Sequence, residues 1–105
     1  MANLPVAIEL CVVPVGTGVS LSGYIAACAR VLEESGLRHE MHAYGTNIEG
    51  DWDEVFAAVR QCHEAVHALG APRIFTTLKI GTQAEGRPSL QDKVASVQRK
   101  LAEQS

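Results

Sequence analysis

The chain has 105 residues, 47% of them hydrophobic and 20% charged. That length suits one domain, residues 1–105, with a single core, and the composition excludes a disordered or fibrous chain. No apolar run approaches the ~18 residues of a membrane span. Nine basic against 12 acidic residues, no basic stripe and 5% aromatics argue against a dedicated nucleic-acid binder.

The cysteines are Cys11, Cys28 and Cys62. Their number is odd, no CxxC occurs and all three sit inside apolar patterns. They read as reduced, small hydrophobes rather than a disulfide framework. The opening MANLPVAIEL lacks a basic segment followed by a long apolar stretch and a small-residue cleavage site. A cytoplasmic protein is expected by default.

Residues 5–14 (PVAIELCVVP) form the first predicted strand. Ile8, Leu10 and Val12 point one way; Glu9, Cys11 and Val13 point the other. Residues 21–35 read as a helix with Ile25, Cys28, Ala29 and Leu32 as its apolar stripe. Ser20 or Ser22 is its candidate N-cap, and Gly36 its terminator. Residues 38–44 and 46–50 predict two strands around Gly45. Asp51-x-x-Glu54 opens a second helix, running to about Leu69. Its stripe is Val55, Val59, Cys62, Val66 and Leu69. Gly70 and Pro72 end it. Residues 73–80 (RIFTTLKI) are the strongest strand pattern in the chain. Ser89-x-x-Asp92 starts a last helix with Val94, Val97 and Leu101 predicted to face inward.

The order β-α-β-β-α-β-α contains the split pattern of ferredoxin-like α+β domains, with an extra C-terminal helix. Short connections and right-handed crossovers predict an antiparallel sheet in the order 4-1-3-2, helices on one face. The other face is then bare. It carries Glu9, Cys11 and Val13 beside Phe75, Thr77 and Lys79, too apolar a mixture for water. Self-association through the sheets is expected, with Glu9 and Lys79 paired across neighbouring strands.

Four segments together resemble a known family. They are ELCVVPVGTGVSLSGYIA (9–26), YGTNIEGDWDEVF (44–56), HEAVHALGAPRIFTTLKI (63–80) and SLQDKVASVQRKL (89–101). The motifs P-x-G-T-G before a helix, G-T-x-I-E-G and T-T-x-K-I, in this order, are similar to those of the small thiamine-binding proteins, the single-domain YkoF-like family. The resemblance covers about residues 6–101. It implies a ferredoxin-like fold, dimers or tetramers formed through the sheets, and non-catalytic binding of thiamine or its hydroxymethylpyrimidine part. Asn47 departs from the small apolar or Thr residue expected there.

The resemblance places ligand contacts on Gly16, Thr17 and Ser20 of the first loop and on Thr46, Ile48 and Glu49 of the third strand. Glycines permit close approach, and helix-start N–H groups hold polar ring atoms. The bland reading of the loop is a capped connection. Thr46 supplies a hydroxyl, Ile48 an apolar wall and Glu49 a charge for the thiazolium, which is costly to bury unpaired. The bland reading of that segment is a solvated hairpin. Lys79 is either a ligand contact at a subunit interface or the partner of Glu9. The loop is neither a Walker A loop nor GxGxxG, and no cofactor is expected.

His63-Glu64-Ala65-Val66-His67 matches H-E-x-x-H literally. No third ligand follows in the zincin manner, so no metal is assigned and two partly exposed histidines are expected. Trp52 and Phe56 share i, i+4 spacing and predict a contact near the helix start. An aromatic surface there, or Tyr24, is the alternative, suited to a cationic heterocycle. The cysteines lack an activating base in sequence. Two further readings remain: an enzyme of small-molecule metabolism using Glu9, Lys79 and His63 at an interface, and a regulatory or structural module.

Overall fold

The computed structural model describes residues 4–17 and 21–104. The elements are β1 (Pro5–Val15), α1 (Ser22–Ser35), β2 (Arg38–His42), β3 (Gly45–Asp51), α2 (Trp52–Ala68), β4 (Arg73–Gly81) and α3 (Leu90–Glu103). The four strands pair antiparallel in the order β2-β3-β1-β4, the expected 4-1-3-2 read from the other edge. The fold is ferredoxin-like α+β with a C-terminal helix added. Among the described residues no helix is long and apolar enough to cross a membrane.

Alternation along β1 sorts the two faces. Val6, Ile8 and Leu10 are buried beneath α1 and α2, together with Ile48 from β3. Leu32 of α1 and Val55, Ala58, Val59 and Cys62 of α2 close the core from above. Each such aliphatic side chain contributes about 1.5–3 kcal/mol by leaving water. Glu9, Cys11 and Val13 lie on the other face, opposite Lys79, Thr77 and Phe75 respectively. Lys79 Nζ stands 3.9 Å from Glu9 Oε1, the cross-strand pair that the alternation predicts.

The helix ends follow their local chemistry. Gly36 ends α1 in the left-handed region at φ 73°. Leu21 occupies the N-cap position of α1, and a leucine has no side-chain acceptor to offer there. The alternative cap, Ser20, lies outside the described residues. Asp51 precedes α2 in extended conformation, with Asp53 and Glu54 in the first turn, favourable to the helix dipole. Trp52 and Phe56 stack with ring centroids 4.6 Å apart.

α3 departs from expectation. Ser89 caps it, accepting from the Asp92 N–H at 3.3 Å. Yet Val94, Val97 and Leu101 are 58%, 59% and 61% exposed, not inward. The reason is where the chain goes after β4. Residues 82–89 carry it to the face opposite α1 and α2, where Arg87 pairs with Asp51 at 3.0 Å. The first turn of α3 then sits on β2 and β3. Glu49 Oε1 accepts from the Leu90 N–H at 2.7 Å, and Arg38 Nη2 donates to Gln91 Oε1 at 2.6 Å. Helices therefore touch both faces of the sheet, not one.

Candidate functional site

The site begins with a mismatch in strand length. β3 pairs with β1 only as far as Thr46, opposite Leu10. β1 runs on to Val15, paired with β4 alone. Beyond Leu10 its other edge meets no strand among the described residues. Gly45 lies so close to this point that a Cβ there would stand 2.6 Å from the Leu10 carbonyl oxygen. The Leu10 carbonyl thus faces β3. Backbone groups alternate sides along a strand, so Val12 N–H, Val12 C=O and Pro14 C=O turn to the uncovered edge. Pro14 has no N–H to lose from a ladder here, which is how a strand tolerates it.

This edge opens into a cleft of about 540 Å³, a size typical of small-molecule sites. Its walls are apolar: Leu10 and Val12 below, the N-cap residue Leu21 and Ile25, Cys28 and Ala29 of α1 above. The missing strand also explains why Leu21, at the N-cap of α1, and Ile25, of its apolar stripe, are exposed. The polar groups are few. Thr46, His39 and His42 come from the hairpin, and Glu33 from α1. Tyr44 stands in the β2–β3 turn at the rim, 85% exposed.

The histidine protons can be assigned from their partners. His39 Nδ1 donates to the Leu37 carbonyl at 2.8 Å, which leaves Nε2 as an acceptor. The Tyr44 N–H donates to His42 Nδ1 at 3.2 Å. His42 therefore carries its proton on Nε2, directed at Asn47 Oδ1 (3.2 Å) and the Glu9 carboxylate (3.3 Å). Asn47 thus belongs to a polar network on the α3 side of the sheet.

Cys28 and Cys62 meet between α1 and α2, with Cys62 Sγ 3.9 Å from the Cys28 carbonyl. Hydrogen bonding to Cys28, then burial, pushes the Cys62 thiol far above its ordinary range. Donation from Cys62 lowers the Cys28 thiol, against the opposing effect of burial.

The residues singled out in the sequence do not converge. Thr46 reaches the cleft. Gly16 and Thr17 follow the end of β1, Gly16 at φ 80° against the Pro72 ring. Ser20 lies outside the described residues. Ile48 is 0% exposed within the core, so it holds β3 rather than walling a pocket. Glu49 and Lys79 lie on the opposite face, engaged with Leu90 and Glu9. Glu9 and Lys79 are likewise separated from His63, which meets Thr76 Oγ1 at 2.6 Å on the helix side. His67 binds the Ala71 carbonyl, and no group of three metal-ligating side chains occurs among the described residues. Sequence reasoning missed the Val12 edge, Tyr44 and Glu33. Tyr44 stands next to the G-T pair of the hairpin motif, the one signal available for it.

These features define a class: a ferredoxin-like protein with a ligand-sized apolar cleft beside an unpaired strand edge. The model of the thiamine-binding protein family matches residues 8–98. The chain belongs to that family. A UPF0045 protein of Synechocystis is 62% identical over 93 residues, covering 89% of this chain and 77% of its own. The crystal structure of a hypothetical protein from Methanocaldococcus jannaschii superposes with a TM-score of 0.80 at 29% identity, covering 89% of this chain and 95% of its own. A Thermotoga maritima protein proposed to act in thiamine biosynthesis or salvage gives 0.77 at 22% identity, covering 89% and 98%. At that identity the likeness concerns the fold alone.

Proposed function

We propose that the protein binds thiamine, or its hydroxymethylpyrimidine half, in the cleft beside Val12 and releases it chemically unchanged. Membership of the thiamine-binding family supports the ligand class. The observation that carries the placement is the uncovered β1 edge. An aminopyrimidine presents an amino donor beside a ring-nitrogen acceptor. A strand edge presents a carbonyl and an N–H, here on Val12, and can answer both. The apolar walls accept the ring, and Thr46 adds a hydroxyl.

The thiazolium needs negative or aromatic company. In this reading Glu33 and Tyr44 at the rim supply it, in place of Glu49. Gly16 and Thr17 follow the end of β1 and stay candidate contacts, and so, on the resemblance alone, does Ser20. Ile48 and Lys79 act structurally, through the core and through Glu9. The protein works as an oligomer in the cytoplasm.

Calorimetry with thiamine and with hydroxymethylpyrimidine tests the proposal. Heat is expected with both, and recovered ligand should be intact. Tyr44→Ala should weaken thiamine by about tenfold, as loss of roughly 1.4 kcal/mol of stacking would, and spare the uncharged pyrimidine more. Absence of heat at millimolar ligand, with the protein folded, would overturn the reading.

A further inference from the structure

The three cysteines differ in access. Cys62 is 0% exposed, in the core beneath α2. Cys28 is partly exposed and lines the cleft. The apolar stripe of α1 explains the difference. It descends from Ile25, 45% exposed at the cleft, to Leu32, 1% exposed in the core. Cys28 lies between them, open to the cleft and packed against the core that holds Cys62. Cys11 also lines the cleft, but from β1, opposite Thr77.

Cys28 and Cys62 are in contact. Cys62 Sγ stands 3.9 Å from the Cys28 carbonyl oxygen, and the two thiols are hydrogen-bonded to each other. Donation from Cys62 favours the thiolate of Cys28. A thiol reacts with oxidants through its thiolate and only where it is reached. Cys28 meets both conditions. Cys62 meets neither, but it touches the sulfur that does.

We propose that Cys28 and Cys62 form a dithiol site, at the inner wall of the cleft, that a small hydroperoxide oxidises to a reversible disulfide. The Cys28 sulfur attacks the peroxide. An S–O bond forms, the O–O bond breaks, and the second oxygen leaves as water or an alcohol with the thiol proton. The Cys62 sulfur then attacks the Cys28 sulfenic acid. The S–S bond forms, the S–O bond breaks, and the departing hydroxide takes the Cys62 proton to become water. Two thiols are oxidised and one hydroperoxide is reduced. In a reducing compartment the dithiol is the resting form, as found here.

The disulfide also alters the cleft. Closing to an S–S length of ~2.05 Å draws the Cys28 sulfur towards Cys62 and out of the apolar wall. Thiamine then loses contact there and binds more weakly. This last consequence rests on the proposed ligand site; the dithiol does not.

Peptide mapping tests the site. The reduced, folded chain is exposed to hydrogen peroxide at neutral pH, blocked with N-ethylmaleimide in urea and analysed by mass spectrometry. A Cys28–Cys62 link is expected, lighter by two hydrogens, with Cys11 alkylated and the link reversed by dithiothreitol. Cys62→Ala should leave Cys28 as a sulfenic acid trapped by dimedone. If that variant does not fold, the wild-type map decides alone. Three alkylated cysteines, after an exposure that fully oxidises free cysteine, would overturn the proposal. A link from Cys28 to Cys11, or Cys28 driven to sulfinic acid without a link, would overturn it equally. Calorimetry then reads the cleft: thiamine affinity should fall severalfold in the linked protein. Equal affinity in the linked and reduced forms refutes the coupling alone, and no thiamine heat in the reduced form refutes the ligand site alone.

Discussion

Glu49 holds Leu90: a carboxylate in the middle of β3 accepts the first backbone N–H of α3 at 2.7 Å. The bond resembles an N-cap supplied from across the sheet, and the negative charge also suits the positive end of the helix. Substituting an N-cap costs about 0.5–2 kcal/mol of helix stability. Glu49→Ala should therefore release the first turn of α3 while leaving the core intact. Hydrogen exchange should show lost protection confined to residues 90–94 and unchanged protection in β1. Loss of thiamine binding with α3 still protected would instead return Glu49 to the ligand site.

Gly45 is fixed by contact. An alanine there would press its Cβ against the Leu10 carbonyl oxygen, backbone that cannot move aside cheaply. Overpacking of this kind costs about 1–3 kcal/mol. Gly45→Ala should lower the unfolding free energy from a urea titration by that amount, whereas Gly23→Ala, where a Cβ meets nothing within 4 Å, should not lower it. Gly45→Ala should also shift the start of β3 and widen the cleft, weakening ligand in parallel.

The H-E-x-x-H match is used structurally. His63 reaches Thr76 Oγ1 at 2.6 Å, tying α2 to β4, and His67 closes on the Ala71 carbonyl at 2.8 Å. A half-buried bond of this type contributes about 0.5–1.5 kcal/mol. His63→Ala should cost that amount in a denaturant titration. Addition of zinc, or of a strong chelator, should leave the melting temperature of the wild type unchanged. A zinc-dependent rise lost in His63→Ala would contradict this assignment.

What the sequence disclosed depended on the range of the interaction. Alternation in β1 and β4 is local, so the two faces, the Glu9–Lys79 pair and the strand order were all legible. The apolar spacing of Val94, Val97 and Leu101 was legible too, but a stripe does not say whose surface covers it. Thr46 and Ile48 share a face by alternation, yet differ in depth. β3 starts at Gly45, which leaves Thr46 at the cleft and puts Ile48 between the helices. The Val12 edge arises from unequal strand lengths, a relation between segments far apart in sequence. The G-T-x-I-E-G motif looked like a binding signature. In the fold Gly45 clears the Leu10 carbonyl, Ile48 fills the core, Glu49 holds α3, and a Cβ on Gly50 would stand 2.7 Å from Leu37 Cδ2. Of the side chains in the motif, that of Thr46 lines the cleft.

The thiol pair gives a pH signature. Cys62 is fully buried, and its hydrogen bond to Cys28 and its burial both raise its pKa above the ordinary thiol value of 9.0. The unfolded chain has neither effect, so its thiol ionises near the ordinary value. A group with a raised native pKa contributes stability that is whole below the unfolded pKa and is lost as pH climbs beyond it. Above about pH 9 the native state therefore holds a proton that the unfolded state gives up, and this term falls by roughly 1.4 kcal/mol per pH unit. The lowered pKa of Cys28 works with the opposite sign, but in the window below 9.0. Cys62→Ala removes buried volume and should cost about 1–2 kcal/mol at pH 7, less than a Leu→Ala change. The same substitution removes the proton-linked loss, so its penalty should shrink as pH rises past 9. Urea unfolding of both proteins between pH 9 and 10.5 measures the difference, because lysine and tyrosine titrations are common to the two and the Cys28 contribution, which the substitution also removes, is confined to the window below 9.0. A penalty that stays constant across that range would show that Cys62 ionises as freely in the fold as outside it.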